Sequence, residues 1–202
     1  NGSLNFNGST QYLTLPSIAA YGLGTGDFTV ETWTYLKAIP GIGSSGFTYL
    51  DGTTIGQFGF YLTNTQLLVY PASLAVVATF NYTWAINTWY HIALVRISNI
   101  LTCYVNGISI GSATVTTNFT GGTGTIYISR NMGASFQYIN GYITNFRIIK
   151  GIGAYTSNFT PPTTTLTANS STSLLLAVNS SGAYLTDSST NGATVTNNGT
   201  AT

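Results

Sequence analysis

The stretch from residue 89 to residue 111 constrains the fold more than any other part of the chain. Val105-Asn106-Gly107-Ile108 carries a two-residue hairpin signal, because a type I′ turn needs positive φ at both central residues and Asn-Gly supplies it. Ser98-Asn99, read as a second two-residue loop, makes residues 89–97, 100–105 and 108–111 a three-stranded meander. In that register Ile92, Leu94, Leu101, Cys103, Val105, Ile108 and Ile110 share one face. His91, Ala93, Val95, Thr102 and Tyr104 share the other. Both faces are partly apolar, which suits strands inside a two-sheet sandwich better than a single amphipathic sheet.

The rest of the chain reads the same way. No window keeps apolar residues at helical spacing between caps, whereas Thr, Val, Ile, Tyr and Phe recur in short runs punctuated by Gly and Asn. Strands are predicted at 4–6, 12–15, 28–33, 47–50, 58–62, 67–70, 78–82, 124–130 and 141–150. In the third of these, Phe28, Val30 and Thr32 alternate with Thr29, Glu31 and Trp33. Pro161-Pro162 ends the regular pattern, and residues 163–202 turn rich in Ser, Thr and Asn. One strand-like run lies at 173–178 and a second at 183–185; Leu174-Leu175-Leu176 predicts that part of this tail docks on a sheet. The expected organisation is one domain over 1–168, followed by a segment over 169–202 that docks on it or leads into a further repeat.

Charge narrows the function. Charged residues make up 4% of the 202, against roughly 25% in an average soluble protein. Five Lys and Arg against four Asp and Glu exclude a duplex nucleic-acid binder, which needs a basic stripe against phosphates. So few carboxylates also disfavour acid-base catalysis. A 44% hydrophobic, 13% aromatic chain is too rich in core-forming residues for a disordered tail. Cys103 stands alone, so no intrachain disulfide holds the fold. Mean hydropathy is +0.23, yet the longest apolar stretch, residues 67–80, is broken by Pro71 and Ser73 and falls short of the ~20 residues of a membrane-spanning helix. A surface of Thr, Ser, Asn and Gly suits an extracellular or particle-bound module. A start at Asn1 suggests a mature product or the ordered part of something longer.

Several motifs in order carry a family resemblance. Ser3-Leu4-Asn5-Phe6-Asn7-Gly8 with Tyr12-Leu13, Gly26-Asp27-Phe28-Thr29-Val30-Glu31-Thr32-Trp33, and Trp89-Tyr90-His91-Ile92-Ala93-Leu94-Val95-Arg96 through Tyr104-Val105-Asn106-Gly107 are similar to laminin-G-like, concanavalin A-like jelly-roll domains. Ile126-Tyr127-Ile128 and residues 141–148 complete the pattern, which covers roughly residues 3–162. It implies an all-β, two-sheet antiparallel β-sandwich. Lys150-Gly151, Tyr155-Thr156-Ser157-Asn158-Phe159 and Pro161-Pro162 further resemble the version found in structural proteins of aquatic bacteriophages. That implies a non-enzymatic virion module (capsid decoration, fibre or tail) on the virion surface, in contact with other virion proteins and with copies of itself, continuing beyond Thr202. The alternative is a lectin-like adhesion module, of a phage or a secreted bacterial adhesin, that binds host-surface polysaccharide.

Candidate chemistry is sparse. The family's glucanases carry Glu-x-Asp-x-x-Glu or Glu-x-Asp-x-Glu on one strand, because glycoside hydrolysis needs two flanking carboxyl groups. Here Glu31 stands alone, with Trp33 and Tyr35 where a second acid would point, and Asp51 and Asp187 are isolated. No catalytic residue is expected. His91 reads as a structural imidazole and Cys103 as a small buried hydrophobe. No cofactor is expected. Calcium, implied by the resemblance, has one weak candidate ligand in Asp51, to which Asn64 could add an amide oxygen. Glycan binding would draw on Asp51, Asn64, Tyr82 and Trp84 at a sandwich edge, against a reading of Trp33, Trp84 and Trp89 as core or interface aromatics. Gly121-Gly122-Thr123-Gly124 lacks the strand-to-helix setting of a phosphate cradle. Sequons at Asn81, Asn118 and Asn158 are expected by chance in so Asn/Thr-rich a chain.

Overall fold

The computed structural model describes residues 2–39, 47–72, 74–131, 137–177 and 186–202. The order is β1 (Leu4–Asn7), β2 (Tyr12–Pro16), β3 (Phe28–Leu36), β4 (Phe47–Gly52), β5 (Phe58–Leu62), β6 (Gln66–Pro71) and β7 (Ala78–Asn81). There follow β8 (Thr88–Ile97), β9 (Ile100–Val105), β10 (Ile108–Thr114), β11 (Thr125–Ile128), β12 (Asn140–Lys150), β13 (Thr172–Leu176) and β14 (Thr196–Asn198). They form two antiparallel sheets face to face. The first runs β1-β12-β3-β8-β9-β10, with β13 also on β12; the second runs β14-β2-β11-β4-β5-β6-β7. Among the described residues, no helix is long and apolar enough to cross a membrane.

Both hairpins in the 89–111 stretch form as the spacing predicts. Ser98 and Asn99 have φ of 48° and 68°, Asn106 and Gly107 of 51° and 77°, so each turn twists with its strands. The alternation sorts as expected too. Ile92, Leu94, Leu101, Cys103 and Val105 enter the core between the sheets, while Ala93, Val95 and Tyr104 form a separate small cluster on the outer face. At the centre, Phe28, Phe58 and Phe119 meet edge to face at 5.0–5.9 Å. Arg96, with no exposed surface, donates to the carbonyls of Gly24, Gly26 and Thr117 at 2.6–2.8 Å and lies over the Phe28 and Phe119 rings. A buried guanidinium is tolerated there because carbonyl dipoles replace its water.

The tail is part of both sheets. β13 continues the edge of β12 beyond β1, and β14 pairs with β2. The run expected at 183–185 lies outside the described residues. Ahead of β13, residues 151–166 form a strap across the outer face of the first sheet. The Gly151 and Phe159 amides donate to Asp27 O and Gly107 O, at 2.8 and 2.9 Å, and the Asn158 side chain accepts from the Ser109 amide at 2.9 Å. A bulge in β12 at Asn145, where φ is 52°, fixes the far end. The Asn145 amide nitrogen donates to Thr164 O at 3.1 Å and its oxygen accepts from Leu166 N at 3.2 Å.

Candidate functional site

On the outer face of the first sheet, side chains fall in rows across the strands. Arg147, Glu31, Ala93 and Tyr104 form one row; Thr144, Trp33 and His91 form the next. Asn5, Tyr142, Tyr35 and Trp89 form the last. The strap crosses the first and seals it. Beneath it, Glu31 Oε2 accepts from the Tyr155 hydroxyl at 2.8 Å and faces His91 Nε2 at 3.0 Å. Arg147 Nε donates to Glu31 Oε1 at 2.7 Å. Burial alone would push the Glu31 carboxyl up. The His91 hydrogen bond, the Arg147 and His91 charges and the Tyr155 hydroxyl outweigh it and hold the carboxyl below its ordinary range. Burial first, then Glu31, pushes the Tyr155 phenol up. Tyr155 and Phe159 stack at 3.6 Å and lid the group. This carboxylate is structural.

The last row escapes the strap. Where the strap returns, Trp33 Nε1 donates to Pro162 O at 2.8 Å. The carbonyl and ring of Pro162 thereby become one wall of a groove of about 400 Å³, with Trp33, Trp89, Thr144 and Ser3 on the other sides. Trp89 is 39% exposed. Its ring lies 5.5 Å from Tyr35 and 6.3 Å from Tyr142, nearly parallel to the latter. Tyr35 and Tyr142 meet at 5.7 Å, so Trp89, at the groove's edge, and these two half-buried tyrosines make a continuous aromatic row. Its rim is polar. Lys37 Nζ lies 4.1 Å over the Tyr142 ring and donates to Asn5 Oδ1 at 2.5 Å, and the Tyr35 hydroxyl reaches Asn87 Oδ1 at 3.4 Å. Across the strap lies a second groove of about 320 Å³, lined by Val95, Ile97, Ile100, Thr102 and Tyr104. Tyr155 and Thr156 of the strap close it, so aliphatic side chains on the sheet meet hydroxyl-bearing ones.

The four residues expected to hold a glycan are not brought together. Asp51 lies on the outer face of the second sheet, opposite Tyr127, only 5% exposed. It accepts from the Gly52 amide at 2.8 Å and bonds the Tyr70 phenol, which burial, then this carboxylate, push well up. Asn64 sits in the β5–β6 turn, beside Tyr82, whose amide donates to Thr65 O. Following the ladders, Tyr82 is five residues along from the Asp51 row, about 16 Å at the usual strand rise. Tyr82 and Trp84 do meet, at 4.6 Å. Trp84, however, is 4% exposed and packs on Tyr90 at 5.2 Å; it belongs to the core.

Asp51 does not suit calcium, which takes six to eight oxygens. It is one buried carboxylate already accepting an amide, and among the described residues no three His, Cys, Asp or Glu gather. The other acids are equally engaged. Asp27 accepts from Ser98 N, and Asp187 from the amides of Leu175, Ser189 and Ala193. Cys103 is fully buried, its thiol pushed up by desolvation.

Sequence reasoning missed the groove. The signal was present in the alternation Trp33-Thr34-Tyr35, which puts two aromatic rings on one outward face. Only the pairing of Tyr35 with both Trp89 and Tyr142 shows that the rings form one surface.

The sequence profile of the concanavalin A-like lectin/glucanases superfamily matches residues 7–152. No curated protein matches the chain. Among solved structures, a candidate carbohydrate-binding protein of Bacteroides ovatus superposes with a TM-score of 0.65 at 14% identity, over 98% of this chain and 60% of that one. Domain 4 of AbnA, an extracellular arabinanase of Geobacillus stearothermophilus solved with arabinotriose, gives 0.55 at 17% identity, over 74% and 70%. A heptameric pentraxin of Limulus polyphemus gives 0.53 at 16%, over 72% and 74%. At these identities the likeness is one of fold.

Proposed function

The chain belongs to the concanavalin A-like lectin/glucanase superfamily, and from that premise we propose that it is a carbohydrate-binding module whose site is the Trp33–Trp89 groove. The observation that carries the reading is the exposed Trp89 ring lining a groove large enough for a sugar ring, continued along the sheet by the half-buried Tyr35 and Tyr142. Sugars present apolar C–H faces that stack on aromatic rings and hydroxyls that seek polar rims, and such sites combine both. The B. ovatus and AbnA relatives support this reading through what they are described as binding. The carbohydrates named for these two relatives favour the lectin reading over the virion module.

A binding role also fits the distribution of acids better than hydrolysis does. A glycosidase needs one carboxyl to protonate the leaving oxygen and another as base or nucleophile. Glu31 is locked beneath the strap by three partners, and the remaining three acids lie on other parts of the fold, each holding backbone amides.

Titration with soluble oligosaccharides, followed by tryptophan fluorescence and calorimetry, tests the proposal. Trp89→Ala should lower affinity at least about tenfold, or about 1.4 kcal/mol, with an unchanged melting curve, because the ring is already partly solvated. Tyr82→Ala should leave affinity intact. The reverse pattern would move the site to the Asn64–Tyr82 end of the second sheet, and binding insensitive to both changes would overturn the groove.

A further inference from the structure

Resting on that reading, we infer that the saccharide taken by the groove is acidic, bearing a carboxylate or a sulfate that pairs with Lys37. Protein sites that hold neutral sugars need acceptors for sugar hydroxyls, and carboxylates are the strongest available. This rim has none. The chain's four acids are Asp27, Glu31, Asp51 and Asp187, and all are engaged elsewhere. What the rim does offer is donors. Lys37 carries three N–H groups, of which Asn5 takes one; the Asn5 and Asn87 side chains add amide nitrogens at the same row of rings. A donor-rich, acid-free rim favours a ligand rich in acceptors.

Lys37 is also held in place. Its ammonium lies over the Tyr142 ring, held by Asn5 and the ring quadrupole, one ring away from Trp89. A pyranose stacked on Trp89 therefore directs an acidic substituent toward an ammonium already held beside Tyr142. With a formal net charge of +1 over the whole chain, long-range steering is weak, so the preference is local to this contact.

The test compares three probes of similar size: oligogalacturonate, a sulfated galactan oligosaccharide and a neutral galacto-oligosaccharide. An acidic probe should bind at least about tenfold tighter than the neutral one at low salt. Lys37→Gln should bring acidic binding down to the neutral level, as should raising salt to about 0.5 M, where screening reaches a few ångströms. The acid that gains most, carboxylate or sulfate, identifies the ligand's charged group. Equal binding of neutral and acidic probes, both abolished by Trp89→Ala, would overturn the inference and leave the carbohydrate site standing. Acidic binding that survives Trp89→Ala but not Lys37→Gln would show charge attraction without a sugar site and overturn both.

Discussion

Glu31 shows how one residue can be read correctly in kind and incompletely in role. On β3 it alternates outward with Thr29 and Trp33, as the sequence pattern predicts, and an outward glutamate on a bare sheet would be solvated. Here the strap covers it, and His91, Arg147 and Tyr155 replace the lost water. Removing one member of such a buried set leaves the others uncompensated, at about 3–5 kcal/mol. Glu31→Gln should therefore destabilise the fold by that order at neutral pH. The pH dependence has a definite sign. Because the folded carboxyl lies below its ordinary value of 4.5, its contribution is complete above that value and is lost as pH falls through the lowered folded value. Thermal midpoints from pH 7 to pH 2 should fall more steeply in the wild type than in Glu31→Gln. Parallel curves would show that the carboxyl's titration is not linked to folding.

At the scale of elements, the strap is what turns a sheet face into a site, and its anchor is the Asn106-Gly107 turn. Gly107 has φ of 77°, and a Cβ there would come within 1.9 Å of Phe159 O. Gly151 has a similar φ of 82° but open space around it. Alanine at Gly151 thus reports left-handed strain alone, about 1 kcal/mol, while alanine at Gly107 adds displacement of the strap. Chemical denaturation should rank Gly107→Ala as clearly the more destabilising, and equal losses would mean that the strap contributes nothing. The turn itself was legible, because Asn-Gly between strands has one common solution. Most strands were legible for the same local reasons. The contact from the turn to residue 159 was not, since nothing in 151–166 announces which surface it crosses. The bulge at Asn145 was equally silent. It depends on a register against β3 that alternation alone does not fix. The same holds for Arg96, whose place among apolar neighbours signals burial but not the three loop carbonyls that make burial tolerable.

For the whole molecule, the sandwich is closed by its tail. The polar composition of residues 169–202 suggested a segment docked on a finished domain or leading beyond it. In the structure β13 occupies the edge of β12 next to β1, and β14 flanks β2 in the opposite sheet, so the tail contributes to both layers. Leu174 and Leu176 are at most 5% exposed and Val195 and Ala201 under 10%; all four join the central core. Burying two leucines contributes on the order of 3–6 kcal/mol, a large part of the 5–15 kcal/mol typical of a domain. A chain ending at residue 168 would also leave two backbone edges unpaired, beside β2 and the upper half of β12. Such a truncation should lose cooperative unfolding and bind an apolar dye, whereas the full chain melts in one transition. A truncated chain with a sharp melt near that of the full chain would show that the tail only decorates a complete sandwich. The groove gives the same experiment a functional readout. Its wall at Pro162 is held between Trp33 and the β12 bulge, upstream of the cut, so a truncated chain that still folds should still bind through Trp89.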